Sequence, residues 1–298
     1  MVQKKDALFS GAASEVLTPF TAEGEIDYTL LEGELEYLLA NGIEGLYING
    51  YQTEYLQLSP KEREEVTRFI VGRVKGRVPV AGNILVDSLW EGRELAGQYK
   101  QLGLDAIMLF TPFLFPMGPE ALSGLFCGIA DAAGLPAYIC NAPNRNKMSP
   151  KQIAAVCRSN PYIIGCKDAT KNILELQQLL ELAEENKIEV MAGSDSQIAV
   201  TMMLGGLGIF SLMSTVFPGL IAQTTGACER GDYAEGQRLQ DKVNRLREGI
   251  KIGPFMAAYK YVARKTGHPL GFMRAPFCDL REAEQAKVDA IMKAEGVY

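Results

Sequence analysis

Short apolar or β-branched runs punctuate the chain at residues 14–17, 45–48, 78–82, 106–110, 137–140, 163–167, 189–193 and 208–211. They recur at intervals of roughly 20 to 33 residues, and segments with helical spacing of their apolar positions fill most of the gaps. Helices are predicted over 28–40, 60–74, 119–133, 150–159 and 173–185. Several open with helix-start chemistry, such as Ser59-Pro60-Lys61-Glu62 and Ser149-Pro150. Eight strand–helix units predict an α/β fold of the closed (β/α)8 TIM-barrel kind rather than an open doubly wound sheet. From about residue 218 the pattern is helical only, over 222–230, 233–249, 254–266 and 282–294. The expected organisation is therefore a barrel over residues 1–217 and a C-terminal helical extension over 218–298 packed on it.

In such a barrel the active site lies at the C-terminal ends of the strands. The residues at those ends are Thr18-Pro19-Phe20, Asn49-Gly50-Tyr51-Gln52-Thr53-Glu54, Asn83, Thr111-Pro112-Phe113, Cys140-Asn141-Ala142-Pro143-Asn144-Arg145, Lys167-Asp168-Ala169-Thr170, Gly193-Ser194-Asp195 and Ser211. Small, polar and Gly/Pro-rich residues cluster there, as a carboxylate-binding mouth requires. Lys167 closes a run that is apolar but for Tyr162. At the mouth of a buried strand, desolvation favours the neutral amine, which attacks carbonyls and forms Schiff bases. The same pattern also fits a strand-end lysine whose ammonium reaches solvent.

Composition narrows the chemistry. The 298 residues are 47% hydrophobic and 22% charged, enough for one large domain or a large domain with a small one. A net charge of −6 without a Lys/Arg cluster argues against a nucleic-acid surface. The six cysteines are scattered and form no C-x-x-C pair; with no signal peptide, this predicts reduced thiols in a cytoplasm. No apolar stretch approaches the roughly 18 to 20 residues of a membrane span. The single histidine, His268, lies in a turn-like Lys-Thr-Gly-His-Pro stretch expected at the surface. Catalysis by Ser-His-Asp or Cys-His arrangements, and histidine-rich zinc sites, are thereby disfavoured. Nucleotide-binding glycine loops are lacking as well, so neither a metal nor an organic cofactor is expected.

A set of motifs in order carries a resemblance. They are Leu17-Thr18-Pro19-Phe20, the 42–47 run Gly-Ile-Glu-Gly-Leu-Tyr, the Glu54…Leu58-Ser59…Glu62-Arg63 stretch, Asn141-x-Pro143-x-Arg145, Gly165-x-Lys167-x-Ala169-Thr170 and Gly205-Gly206-x-Gly208-x-x-Ser211. Over nearly its whole length the chain resembles the pyruvate-dependent class I aldolases and lyases of the dihydrodipicolinate synthase and N-acetylneuraminate lyase superfamily. The resemblance implies that Lys167 condenses with the keto group of pyruvate or a related 2-oxo acid, with an aldehyde-type acceptor as second partner. It also implies a homotetramer.

Two departures stand out. The family's usual Gly-Thr-Thr-Gly-Glu or Gly-Ser-Thr-Gly-Glu loop reads Gly50-Tyr51-Gln52-Thr53-Glu54 here. Its backbone amides still suit a carboxylate, with Gln52 and Thr53 as further donors. The strand-five tyrosine that shuttles protons in the family is replaced by Cys140. Tyr51 on the neighbouring loop, Tyr138 two residues earlier on the same strand face, and the Cys140 thiol are the candidate replacements, with Tyr51 preferred because its loop lies at the barrel mouth and Tyr138 is expected deeper in the core. Arg145 and Asp195 are expected to face the second substrate or the outer part of a longer 2-oxo acid, with Gly193 and Ser211 beside them. The lost loop hydroxyl and tyrosine disfavour a true dihydrodipicolinate synthase. Ala169, Ser196 and Leu212 stand where sugar-acid lyases carry polar partners. The expected activity is an N-acetylneuraminate lyase-like or 2-keto-3-deoxy sugar acid aldolase-like lyase. The alternatives are a 2-keto-3-deoxy sugar acid dehydratase or hydratase-aldolase using the same imine, and a non-catalytic 2-oxo-acid binder.

Overall fold

A computed structural model describes residues 2–298. Eight parallel strands, β1 (Gly11–Glu15), β2 (Gly45–Ile48), β3 (Val80–Ile84), β4 (Ala106–Phe110), β5 (Ala137–Asn141), β6 (Ile163–Asp168), β7 (Glu189–Ala192) and β8 (Gly208–Ser211), pair in chain order, and β8 pairs with β1 to close the barrel. Helices α1 (Tyr28–Ala40), α2 (Pro60–Val74), α3 (Leu89–Leu102), α4 (Pro119–Ala133), α5 (Pro150–Ser159), α6 (Ile173–Asn186), α7 (Ile198–Met203) and α8 (Pro218–Glu229) follow the strands one by one. Three more, α9 (Tyr233–Ile250), α10 (Ala257–Lys265) and α11 (Glu282–Ala294), complete the chain. The boundary drawn from the sequence at 217/218 falls at the start of α8. That helix completes the outer ring, so the helices beyond the ring are α9 to α11.

The helix starts follow from local chemistry. Ser59 and Ser149 each accept a hydrogen bond from the third helical N–H and are bonded in return by Glu62 and Gln152, so both predicted caps are capping boxes. The sequence pattern above names no helix for α3 or α7, although α3 buries Gly92, Ala96 and Tyr99 at helical spacing. α3 contains Gly92 and Gly97 and exposes Trp90, which blurs its apolar face. β1 begins three residues earlier than the apolar pattern suggests, because Ala12 and Ala13 supply its buried positions while Leu17 turns away to pack beneath the helices.

Alternation along the strands sorts residues between two cores. Ala137, Ile139 and Cys166 point outward, under the helices. Tyr138, Cys140, Met108, Met191 and Phe210 point into the barrel. The interior is filled at its base. Phe9, Tyr138 and Phe210 lie with ring centroids 5.0–6.0 Å apart, and the Tyr138 hydroxyl donates to Glu189, which also accepts from the Leu8 amide at 3.3 Å. Gly165 leaves room for this plug: a Cβ there would stand 2.4 Å from the Tyr138 ring.

The extension is tied to the strand ends through one buried cation. Lys260 on α10, with no exposed surface, ion-pairs with Glu54 at 2.5 Å and donates to the carbonyls of Thr18 and Phe272 at 2.9 and 2.7 Å. Burial pulls the Lys260 ammonium below the usual lysine range and pushes the nearby Glu34 carboxyl up to about 8. Lys260→Ala is therefore expected to destabilise the fold by about 3–5 kcal/mol, the cost of leaving a buried charge without its partner. Denaturant unfolding followed by tryptophan fluorescence and circular dichroism checks it, and a loss below about 1 kcal/mol would contradict the account.

Candidate active site

Lys167 is the last residue but one of β6 and points its side chain inside the barrel, beside Cys140 on β5 and Met191 on β7 in register. It is 4% exposed. Its Nζ lies 2.7 Å from Oε1 of Glu15, the last residue of β1, which is 3% exposed, and 4.5 Å from the centroid of the Tyr47 ring. The other Glu15 oxygen, Oε2, is buried without a hydrogen-bond partner and faces Gly50, where an added Cβ would stand 3.2 Å from it. Tyr47 is fixed by donating its hydroxyl to Asn83 at 2.7 Å.

This pairing overturns the expectation of a neutral lysine. Burial by itself lowers the Lys167 pKa, but the Glu15 carboxylate, with Asp195 adding to it, more than offsets burial and raises the amine above its ordinary 10.5. The resting side chain is an ammonium. With its folded-state pKa raised, the stabilisation it contributes is complete at neutral pH and is lost only as pH rises through that raised value.

Above Lys167 a cavity of about 330 Å³ opens at the C-terminal face of the barrel. Tyr51, Phe110 and Phe113 form an aromatic wall, with neighbouring centroids 5.3–6.4 Å apart. Lys171 and Arg247 provide the positive charge lining the cavity above Lys167, and among the described residues neither forms an ion pair. Lys171 adopts a left-handed backbone conformation (φ +61°), uncommon for a residue with a side chain.

The expected site residues separate into three groups. Lys167, Tyr51, Cys140, Gln52, Gly193 and Asp195 all line this cavity. Gly50, Thr53 and Ser211 lie just behind it. The Thr53 hydroxyl donates to the Gly50 carbonyl at 2.8 Å and so supports the loop instead of facing a ligand. Ser211 donates to Asp195 and accepts from the Ser214 amide, which fixes the Asp195 carboxylate in place. Two residues fall elsewhere. Tyr138 belongs to the plug at the barrel base, its hydroxyl held by Glu189, so its phenol does not face the cavity. Arg145 is exposed and donates to the Leu114 carbonyl at 3.1 Å, outside the cavity lining. His268, expected at the surface, is half-buried and stacked on Tyr37 at 3.9 Å.

Sequence reasoning missed Glu15, Tyr47, Lys171, Arg247 and Tyr259. Glu15 had a readable signal: an acidic residue inside a predicted strand has to find a partner. Among the described residues no group of His, Cys, Asp or Glu is gathered as a set of metal ligands, and no helix is long and apolar enough to cross a membrane.

A family model described as "Dihydrodipicolinate synthetase family" matches residues 8–295. The chain belongs to that family. It is accordingly an enzyme of the class I aldolase and lyase type. Similar relatives include the 4-hydroxy-tetrahydrodipicolinate synthases of Bartonella quintana (strain Toulouse), 32% identical, and Bartonella bacilliformis, 30% identical. Each match covers 97% of this chain and 99% of the relative. Among solved structures, YagE, a prophage protein of the dihydrodipicolinic acid synthase family from E. coli K12 in complex with pyruvate, superposes with a TM-score of 0.93 at 25% identity. That match covers 98% of this chain and all of YagE. These likenesses establish the family barrel.

Cys140 stands at the position where the sequence comparison expects the family's tyrosine. Burial pushes its thiol up to about 12, so it is a neutral group at physiological pH and carries no base. Cys140→Ala is expected to slow reaction at Lys167 less than tenfold. A true proton shuttle costs about 10²–10⁴-fold when removed. Single-turnover trapping rates of the two proteins with a 2-oxo acid decide between these outcomes.

Proposed function

We propose that this family member is a Schiff-base-forming lyase or aldolase acting on pyruvate or a related 2-oxo acid, with Lys167 as the imine lysine. The observation that carries the proposal is a buried ammonium at the floor of a cavity on the C-terminal face of the barrel, where enzymes of this architecture hold their reacting groups. Amines so placed are desolvated, positioned and approachable from one side. The 2-oxo acid's carboxylate lies at the turn over residues 50–53, held by backbone amides and Gln52, while its keto carbon meets Lys167.

The cavity is larger than pyruvate needs, and its lining says what fills the remainder. The aromatic wall of Tyr51, Phe110 and Phe113 favours an apolar stretch of substrate, and Lys171 with Arg247 favours an anionic group. The role first assigned to Arg145 passes to this pair. Ala169 and Leu212 face the space where a sugar acid would meet polar partners, and the hydroxyls lining it belong to Tyr47, Tyr51, Ser194 and Tyr259. Ala169 and Leu212 favour a less hydroxylated substrate than a sugar acid, and the changed 50–54 loop with Cys140 on β5 disfavours the reaction for which the Bartonella relatives are named. A homotetramer is part of the same proposal; Leu114 and Phe115 on the loop after β4, 68% and 65% exposed, supply apolar surface for contacts between copies.

Borohydride trapping with a panel of 2-oxo acids, read by peptide mass spectrometry, tests the reading. A single adduct on the peptide carrying Lys167 is expected, and labelling confined to another lysine would refute it. Replacing Lys171 by Gly or Arg247 by Ala should weaken apparent affinity for 2-oxo acids with a distal carboxylate or phosphate by about ten- to a hundred-fold, the loss of one charge-assisted hydrogen bond. Trapping with pyruvate should be unaffected.

A further inference from the structure

We propose that Glu15 is the catalytic acid–base residue of this enzyme, shuttling the protons that imine formation at Lys167 requires. The inference rests on the reading of Lys167 given above and assigns the proton transfers for which the sequence offered two tyrosines and a cysteine.

The geometry is direct. Oε1 of Glu15 lies 2.7 Å from Nζ of Lys167, within the range over which a proton passes between heavy atoms. Neither of the two expected phenols is so placed: Tyr138 is locked into the base of the barrel, and Tyr51 stands on the wall at the mouth, 39% exposed. Tyr47 is nearer, but its hydroxyl already donates to Asn83. The second Glu15 oxygen is buried without a partner and faces the turn that begins at Gly50. A buried carboxylate oxygen left unpaired is costly unless something arrives to meet it. Glu15 lies behind the cavity lining and is reached through Lys167, so the carbinolamine hydroxyl formed on Lys167 is the proton donor that would supply that partner.

The steps balance with the groups present. Lys167 begins as an ammonium and Glu15 as a carboxylate. A 2-oxo acid enters with its carboxylate at residues 50–53 and its keto carbon toward Lys167, whose Nζ lies 2.7 Å from Oε1 of Glu15. The proton moves from Nζ to Glu15, leaving a neutral amine and a carboxylic acid. The amine attacks C2; the nitrogen proton released and the proton on Glu15 pass to the former keto oxygen, which leaves as water, and the C2–N double bond forms. Glu15 ends as a carboxylate beside a cationic imine. There it is placed to accept the proton whose removal converts the imine to the enamine that makes or breaks the C–C bond.

The opposite role for Glu15, that of a counter-ion holding Lys167 in place, predicts the opposite sign. Glu15→Gln keeps the shape and removes the charge. Cys140, Asp195, Tyr47 and Tyr259 remain around the ammonium, and burial then favours the neutral amine. If Glu15 only neutralises the ammonium, Glu15→Gln forms the imine with pyruvate as fast as the unmodified protein or faster at pH 7.5. If it carries protons, the variant forms it at least a hundred-fold more slowly despite the freer amine. The experiment quenches pyruvate incubations with borohydride at timed intervals and measures the Lys167 adduct. Glu15→Asp, which keeps a carboxylate one methylene shorter, should react faster than Glu15→Gln, and thermal melting of both variants verifies that they fold. A Glu15→Gln rate equal to or above that of the unmodified protein, or a Glu15→Asp rate no better than that of Glu15→Gln, overturns the proposal. Absence of any adduct in the unmodified protein overturns the lysine assignment itself, and with it this one.

Discussion

The interior of this barrel is organised around an ion pair between its first and sixth strands. Glu15 and Lys167 approach from two sides of the interior and meet at 2.7 Å, both almost wholly out of water. Neither charge could be buried there alone, because several kcal/mol of desolvation would go uncompensated. The pair therefore constrains sequence on both strands together. It also fixes the resting state of Lys167, whose side chain is held as an ammonium against the Glu15 carboxylate.

Barrel closure sets up this meeting. Parallel strands with a two-residue alternation send Glu15, Tyr47, Cys140 and Lys167 inward, and a one-residue slip on β6 would turn Lys167 under the helices in place of Cys166. The bulge where β5 pairs with β6, next to Tyr138, and the missing side chain at Gly165 let an aromatic plug fill the base without displacing the residues above it. Farther out, Lys260 draws α10 against the carbonyl of Thr18 and the carboxylate of Glu54, so the loops that frame the mouth are anchored from behind.

The architecture was largely legible in the chain because it rests on local periodicity: β2, β4 and β8 begin and end where the apolar runs do, and capped helices such as α2 and α5 start at their Ser-Pro signals. Lys167 was legible for the same reason, as a polar residue closing a buried run. What escaped was pairing across the barrel. Glu15 and Lys167 are 152 residues apart, and nothing local says that an acid on the first strand will face an amine on the sixth. The neutral-lysine expectation failed through that omission, since it counted burial and left out the partner charge. Arg145 was misplaced by a related gap, since sequence gives the strand end a residue follows but not which carbonyl captures its guanidinium, whereas Tyr138 lies deeper than Tyr51 as expected. Lys171 and Arg247 sit on a loop and an appended helix, where spacing carries no information about convergence.

The plugged base has a consequence for traffic. Phe9, Tyr138 and Phe210 stop the interior at one end, so everything that reaches Lys167 enters and leaves past Tyr51, Phe110 and Phe113. A blind channel imposes a queue. On the proposed chemistry, the fragment tethered to the amine sits deepest, and its departing partner has to clear the doorway before the tether can be undone.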